Sequence, residues 1–386
     1  MKTPYFLINK EELNNNIDSF AKALKELWPN SYLGYSVKTN SLPWLLEYLY
    51  RKNVYAEVVS DEEYHLAELM GYPHNKIIFN GPIKEEACFK IACDKQAIIN
   101  MDSKQDLFLL SKYGKATTNI GIRVNLPPSI FDEDDIGYES DGFRFGFCEE
   151  NGDFKDALDA IHRSCGDIRV GLHLHCNSIT RSKNVYIAIA QYAVSLIKKY
   201  NLKVAFIDMG GGYFGGVPGK TTPYEYIQAI KDVLQPHVNP VETTLIVEPG
   251  SAIIGSVVDL HTTVLDVKDT LKTRIVTTDG SRIHIDPLWI KNRYMYSLVT
   301  SNKDKKRDTQ LICGYTCMDH DRLMTIKNED ELQVGDQIIY QRVGAYSVTF
   351  GGLFINYHPD VYVFDGDNTT KVRSRINTED YIKIHS

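Results

Sequence analysis

Nothing in these 386 residues approaches the uninterrupted apolar run of ~18 residues that a bilayer span needs, so no membrane-crossing helix is expected. Paired Cys-x-x-Cys spacing is absent too. The seven cysteines are odd in number and irregularly placed, which disfavours both a zinc cluster and a disulfide framework and suits reduced thiols in a cytoplasmic protein. Cys88 and Cys93, in a helical pattern, read as small buried hydrophobes. An excess of basic charge is also missing: the net charge is −7 and Lys and Arg are scattered, so there is no footprint for nucleic acid. The densest basic run, residues 303–307, is broken by Asp304 and reads as a solvated loop. The first residues become charged and polar within a few positions, unlike a secretory signal. No repeat or low-complexity tract stands out. What remains is 43% hydrophobic and 24% charged, a globular composition with length for two or three domains or one large barrel with an appendage.

The positive signal is a rhythm. Short β-rich runs at 32–37, 54–59, 76–79, 97–101, 119–124, 168–174, 205–209 and 244–248 alternate with amphipathic stretches at 41–52, 61–71, 84–94, 103–113, 152–164, 181–200 and 223–235. Asp61 and Ser103 are candidate N-caps, Gly71 and Gly114 candidate helix ends. Eight strands with intervening helices predict a (β/α)8 barrel over residues 25–255, and nothing marks the switch point of a doubly wound sheet. Segment 125–150, rich in Asp, Pro and Gly, is too long for an ordinary connection and reads as a functional loop. Beyond residue 255 the texture changes to β-rich runs at 256–267, 273–278, 309–313, 337–340 and 361–364, which predicts an all-β domain over 256–386. Residues 1–24 are assigned to it, because the run at 5–8 could pair there.

Chemistry in such barrels gathers at the C-terminal ends of the strands. Lys38 ends the first, in Tyr35-Ser36-Val37-Lys38-Thr39-Asn40, where reduced solvation would let a lysine lose its proton at modest cost and form a Schiff base. Glu57 ends the second and Arg123 the fifth. The sixth carries His173 and His175 on one side by period-two alternation; no third ligand is evident, so no metal is expected. Gly210, Gly211 and Gly212 follow the seventh, a nest of backbone N–H groups where these barrels bind phosphate. The eighth delivers Glu248 from an apolar strand, costly unless a cation or protonated heterocycle meets it. An aldehyde for Lys38, a flat ring for His175, a phosphate for the glycines and a basic ring nitrogen for Glu248 are together the groups of pyridoxal 5′-phosphate.

These motifs, with Cys313-Gly314-Tyr315-Thr316-Cys317 and Gly344-Ala345-Tyr346 further on, resemble the fold-type III pyridoxal-phosphate decarboxylases, the group of diaminopimelate and ornithine decarboxylases, over nearly the whole chain. The resemblance implies an alanine-racemase-like barrel, Lys38 as Schiff-base lysine, His175 stacked on the ring, and Glu248 on the pyridine N–H⁺. It implies that Ser178 and the three glycines hold the phosphate with the Tyr346 hydroxyl, and Gly250 and Ser251 are further candidate cofactor-binding residues. It implies decarboxylation of a small-molecule amino acid through a quinonoid, with Cys317 reprotonating carbon from the neighbouring subunit of a head-to-tail homodimer whose β domains complete the site.

Two positions depart from the family pattern. Ser251 stands where Glu-Pro-Gly is commonly followed by Arg, and Met318 where an acidic residue follows the cysteine. Both weaken the case for plain diaminopimelate, ornithine or lysine. The Cys313–Asp321 stretch looks more like decarboxylases of modified amino acids, such as citryl-amino acids in siderophore synthesis, with Met318, Asp319, His320, Arg282 and Arg293 as candidates near the substrate. Diaminopimelate or polyamine-pathway decarboxylases are the alternatives. A racemase is disfavoured by Glu248, and an inactive homologue by the presence of Lys38, Glu248 and Cys317 together.

Overall fold

The computed structural model describes residues 1–137, 142–291, 293–301, 303 and 305–386. Residues 138–141 of the 125–150 segment, and Asp304 of the basic run, thus lie outside the described residues. The chain divides into two compact units, Asn16–Ile253 and Met1–Asn15 with Ile254–Ser386.

In chain order the elements begin with β1 (Tyr5–Asn9) and α1 (Lys10–Leu27), then β2 (Ser31–Ser36), α2 (Pro43–Arg51), β3 (Tyr55–Val58), α3 (Asp61–Leu69), β4 (Ile77–Phe79), α4 (Glu86–Asp94), β5 (Ile98–Met101), α5 (Lys104–Tyr113) and β6 (Asn119–Asn125). They continue with β7 (Phe147–Cys148), α6 (Asp153–Cys165), β8 (Gly171–His173), α7 (Lys183–Tyr200), β9 (Phe206–Asp208), α8 (Pro223–Leu234), β10 (Thr244–Val247) and α9 (Ser251–Ile254). Strands β2, β3, β4, β5, β6, β8, β9 and β10 pair in parallel in that order, and β10 returns to β2, which closes the barrel. Strands covered on both faces read as unbroken apolar runs, such as Ile77-Ile78-Phe79 and Leu245-Ile246-Val247, all buried. Ile78, Ile98, Phe206 and Ile246 cluster in the core. The Phe206 ring explains Gly171, where an added Cβ would sit 2.2 Å from it.

The helices start where side chains satisfy free amides. Thr222 and Glu225 form a capping box with Pro223 in the first turn of α8. Ser103 caps α5 as expected, accepting from the Asp106 amide. For α3 the cap is Ser60 rather than Asp61: its hydroxyl accepts from the Glu63 amide at 3.2 Å, while the Asp61 carboxylate accepts the Glu85 amide at 3.2 Å.

The other unit is mostly sheet, built of β11 (Val258–Asp269), β12 (Arg274–Thr278), β13 (Met295–Val299), β14 (Lys306–Cys313), β15 (Arg322–Asp330), β16 (Gln337–Gln341), β17 (Asp360–Asp365) and β18 (Asn368–Arg373). Strand β1 joins this sheet, antiparallel to β11 and parallel to β17. It is not purely β. A short α10 (Arg282–Ile285) and α11 (Thr378–His385) are present, the latter started by an Asn377–Asp380 capping box and closed by Lys383 and His385. Among the described residues no helix is long and apolar enough to cross a membrane.

Candidate active site

The strands of the barrel unit turn polar at their C-terminal ends, and those polar residues find one another. Lys38 sits two residues beyond β2, in a single helical turn at Val37–Thr39. Its Nζ lies 2.8 Å from Glu57 Oε2 and 3.2 Å from Oε1. Glu57 is buried and accepts further hydrogen bonds from Ser36 at 2.5 Å and Asn80 at 3.0 Å. Burial alone would lower the Lys38 pKa, but the charge and hydrogen bond of Glu57, with Glu248 and Glu63 beyond, raise it overall. Burial would likewise raise Glu57, and Lys38, Ser36 and Asn80 outweigh it and lower it. The expectation of a readily deprotonated lysine is therefore corrected: Glu57 holds Lys38 as an ammonium.

Asn80 links this pair to a second one. Its amide donates also to Glu248 Oε1 at 2.9 Å, and Asn100 donates to Asn80 Oδ1 at 2.8 Å and to Asp208 Oδ2 at 3.1 Å. Burial, then the charges of Asp208 and Glu57, push Glu248 well above the carboxylate range. Burial carries Asp208 to about 7, against hydrogen bonds from Glu248, the Gly210 amide and Asn100. His173 Nε2 stands 3.8 Å from Glu248 Oε2, and neither ring nitrogen of this buried imidazole has a hydrogen-bond partner among the described residues. Burial, aided by the charge of Arg123, drives its pKa well down. His173 thus groups with Asp208 and Glu248, ligand atoms all within 4.8 Å, a set that could hold a cation. The pairing with His175 considered from sequence missed those two carboxyls.

His175 lies past the end of β8 and its pKa is lowered to about 3 by burial and by the charges of Arg123 and Lys38, so the ring is neutral at physiological pH. It packs on the glycine loop: a Cβ at Gly210 (φ +59°) would meet His175 Cβ at 2.6 Å. A Cβ at Gly211 would lie 2.6 Å from the Glu248 carbonyl oxygen, and one at Gly250 would lie 2.0 Å from Thr39 Oγ1, beside Lys38. The Gly211 and Gly212 amides have no acceptor among the described residues. Tyr186 fixes the loop by donating to the Gly211 carbonyl at 2.9 Å and stacking on Tyr213 at 4.3 Å. Ser178 accepts from the Arg181 amide at 3.1 Å, and Ser251 accepts from the Arg181 guanidinium at 3.2 Å. A cavity of about 610 Å³ opens beside His175, lined by Arg123, Phe143, Arg144, Phe145 and Asn177. Arg123 is paired to Asp102 at 2.9 Å, whereas exposed Arg144 rests on the Phe145 ring at 4.4 Å with no carboxylate partner among the described residues.

The structure thus groups Lys38, His175, Gly210, Gly211, Gly212, Glu248, Gly250 and Ser251. Ser36, Asn80, Asn100, Asp208, Arg144 and Arg181 were not singled out from sequence; the signal for Asn80, Asn100 and Asp208 was a lone polar residue at or near the end of an otherwise apolar strand.

The remaining candidates lie in the sheet unit. Cys317 is a free, exposed thiol in the turn between β14 and β15. Asp321 is buried and organises that turn, accepting Thr316 Oγ1 at 2.7 Å, Ser281 Oγ at 2.9 Å and the Arg282 amide at 3.1 Å. Arg282 does not offer a free guanidinium as expected: it is taken by Asp286 at 2.6 Å and the Lys291 carbonyl at 2.6 Å, and covers Trp289. Asp319 is turned to Arg322 at 2.7 Å, and His320 packs on Trp289 with centroids 4.8 Å apart. Met318 is half-buried, Arg293 exposed, and Tyr346 holds a left-handed backbone at φ +66° with its ring against Phe350.

The barrel site fits pyridoxal phosphate on two observations. The buried cluster of Glu248, Asp208 and His173 calls for a cationic N–H, and the glycine loop presents unpaired amides where only hydrogen can stand in place of Cβ. The family model for pyridoxal-dependent decarboxylase, pyridoxal binding domain, matches residues 11–255. The chain belongs to this family. It is a pyridoxal-phosphate-dependent amino-acid decarboxylase, a carboxy-lyase. Diaminopimelate decarboxylase of Aquifex aeolicus is 26% identical, the alignment covering 98% of this chain and 90% of that protein. The namesake of Helicobacter pylori is 26% identical, covering 89% and 86%. Among solved structures, diaminopimelate decarboxylase of M. jannaschii in complex with L-lysine gives a TM-score of 0.86 at 21% identity, covering 100% of this chain and 92% of that one. The arginine decarboxylase of Paramecium bursaria Chlorella virus gives 0.77 at 20%, covering 94% and 96%. These two likenesses support the fold.

Proposed function

We propose that the chain decarboxylates an amino acid whose side chain ends in a further carboxylate. The observation that carries this is the cavity beside His175, in which Arg144 presents a guanidinium without an acidic partner among the described residues. Such a group favours a distal carboxylate, with or without an ammonium beside it, over a side chain that ends in an ammonium alone. Two members of the class stand out. Diaminopimelate is favoured by the names of the relatives; a citryl-amino acid of siderophore synthesis is favoured by Ser251 and Met318 standing where the resemblance leads one to expect arginine and an acidic residue.

When bound, pyridoxal phosphate supplies an aldehyde for amine capture and a ring that accepts the electron pair left by CO₂. Lys38 is the residue we assign to the aldehyde, Glu248 to the ring N–H, His175 to the ring face, and Ser178 with the Gly211 and Gly212 amides to the phosphate. Lys38 must first give up the proton that Glu57, at 2.8 Å, stabilises on it. Asn80 and Asn100 orient Glu57, Glu248 and Asp208, so that a carboxylate meets the ring nitrogen in a fixed position. The neutral imidazole of His175 gives a flat face without adding charge. We assign carbon reprotonation to Cys317, whose exposed thiol would serve the site of a second copy of the chain, with Tyr346 beside the phosphate, as the resemblance implies.

The test is CO₂ release from meso-diaminopimelate, citryl-amino acids, ornithine, lysine and carboxynorspermidine at equal concentration. One of the two acid-tailed classes should lead. Faster release from ornithine or lysine would refute the reading.

A further inference from the structure

We propose that Arg181 is a cofactor-binding residue that holds the phosphate dianion of pyridoxal phosphate from the loop between β8 and α7. This rests on the cofactor assignment above. Arg181 has a left-handed backbone (φ +52°), a conformation that non-glycine residues seldom hold. Several contacts keep it there. Its amide donates to Ser178 Oγ at 3.1 Å, its carbonyl accepts from the Tyr226 hydroxyl, and its guanidinium lies 5.6 Å from the Phe214 ring centroid. That guanidinium ends at Ser251 Oγ, 3.2 Å away.

Other buried or half-buried guanidinium groups are met by a carboxylate, as Arg123 is by Asp102 and Arg274 by Asp269, or by backbone carbonyls, as Arg373 and Arg375 are. Arg181 has a neutral hydroxyl and no acidic partner among the described residues. The surroundings say what it awaits. Ser251 is three residues past Glu248, whose carbonyl oxygen abuts Gly211. Tyr226, bonded to the Arg181 carbonyl, packs on Tyr186, which is bonded to the Gly211 carbonyl. The Gly211 and Gly212 amides, two serine hydroxyls and one guanidinium make a donor set suited to a tetrahedral dianion rather than a planar carboxylate. The two serines fix Arg181 through its amide and its side chain, so the charge arrives already oriented.

The test is direct titration of the apo-protein with pyridoxal phosphate and, separately, with pyridoxal, which has the aldehyde and ring but no phosphate. Arg181→Ala should weaken pyridoxal phosphate about 10- to 100-fold and leave pyridoxal unchanged. Arg181→Lys should recover part of the loss. Inorganic phosphate should compete with cofactor loading of the wild type and much less with Arg181→Ala. Equal losses for both ligands, or unchanged cofactor affinity, would overturn the proposal. So would a higher KM for substrate at unchanged cofactor affinity, which would give the guanidinium to the substrate carboxylate. Arg181→Gln, close in bulk, is read alongside in case Arg181→Ala fails to fold. A wild-type protein that binds neither ligand would strike the cofactor assignment itself, and this proposal with it.

Discussion

The strand ends of the barrel and the 314–321 turn of the sheet unit use polar residues in opposite ways. In the barrel, buried charges face inward and remain incompletely satisfied: Glu248 is pushed well up, Asp208 to about 7, and His173 has neither nitrogen bonded. In and around the turn, Asp321 is met by Ser281, Thr316 and the Arg282 amide, Arg282 is met by Asp286, His320 packs on Trp289, and Cys317 is left an exposed, free thiol. A buried site short of one cation is poised for a ligand that brings it. A satisfied turn is scaffolding that presents one thiol. Cofactor chemistry is therefore concentrated in the barrel, and the sheet unit is expected to contribute through few residues.

Substitutions can break that contrast. The largest effect is expected for Lys38→Ala, which should lower kcat/KM by about a thousandfold or more by removing the amine that anchors the cofactor. Glu248→Gln should follow at about a hundredfold to a thousandfold, read in kcat, because a neutral amide does not keep the ring nitrogen protonated. Cys317→Ala should slow product formation about tenfold to a hundredfold while cofactor affinity stays at the wild-type value. Mixing Lys38→Ala with Cys317→Ala should restore part of the activity if the thiol serves a second copy; no restoration would put both residues in one chain's site. In the sheet unit Arg282→Ala should destabilise the fold by about 1–3 kcal/mol in denaturant titration with no change in KM, since the buried Asp286 carboxylate loses its cationic partner and keeps only the Ile290 and Lys291 amides and the Tyr294 hydroxyl. A raised KM would return Arg282 to the substrate.

A pH experiment sharpens the same contrast. Glu57 raises the Lys38 pKa against burial. Below that raised pKa the lysine is an ammonium, and above it the amine is free. Glu57→Gln removes the raising influence, so the pH midpoint for covalent cofactor attachment, followed by absorbance, should move down. An upward move or none would detach Glu57 from the protonation of Lys38.

Much of the barrel was legible in the sequence. Parallel strands covered on both faces give apolar runs, amphipathic helices give their own period, and both survive without tertiary information. Glu248 was legible because one carboxylate closes the apolar run Leu245-Ile246-Val247. The same signal at Asn80 and Asp208 went unused, because an amide or acid at a strand end gains meaning only when a distant strand brings its partner. The pairing of Lys38 with Glu57, 19 residues away and from the next strand, reversed the expected protonation of the lysine. Arg181 was invisible for a related reason: it lies 70 positions from Ser251, and period and spacing do not show that a loop carries its guanidinium there. Arg282 failed the other way, since a lone arginine in a sequence gives no hint that Asp286, one helical turn on, already holds it.

Everything proposed for the barrel's strand ends depends on Lys38 holding pyridoxal phosphate there. Reducing the holoenzyme with borohydride and mapping the modified peptide tests it most directly. Loss of the visible chromophore and a pyridoxyl label on the peptide containing Tyr35-Ser36-Val37-Lys38 are expected; a label on another lysine, or none, would overturn the role of Lys38.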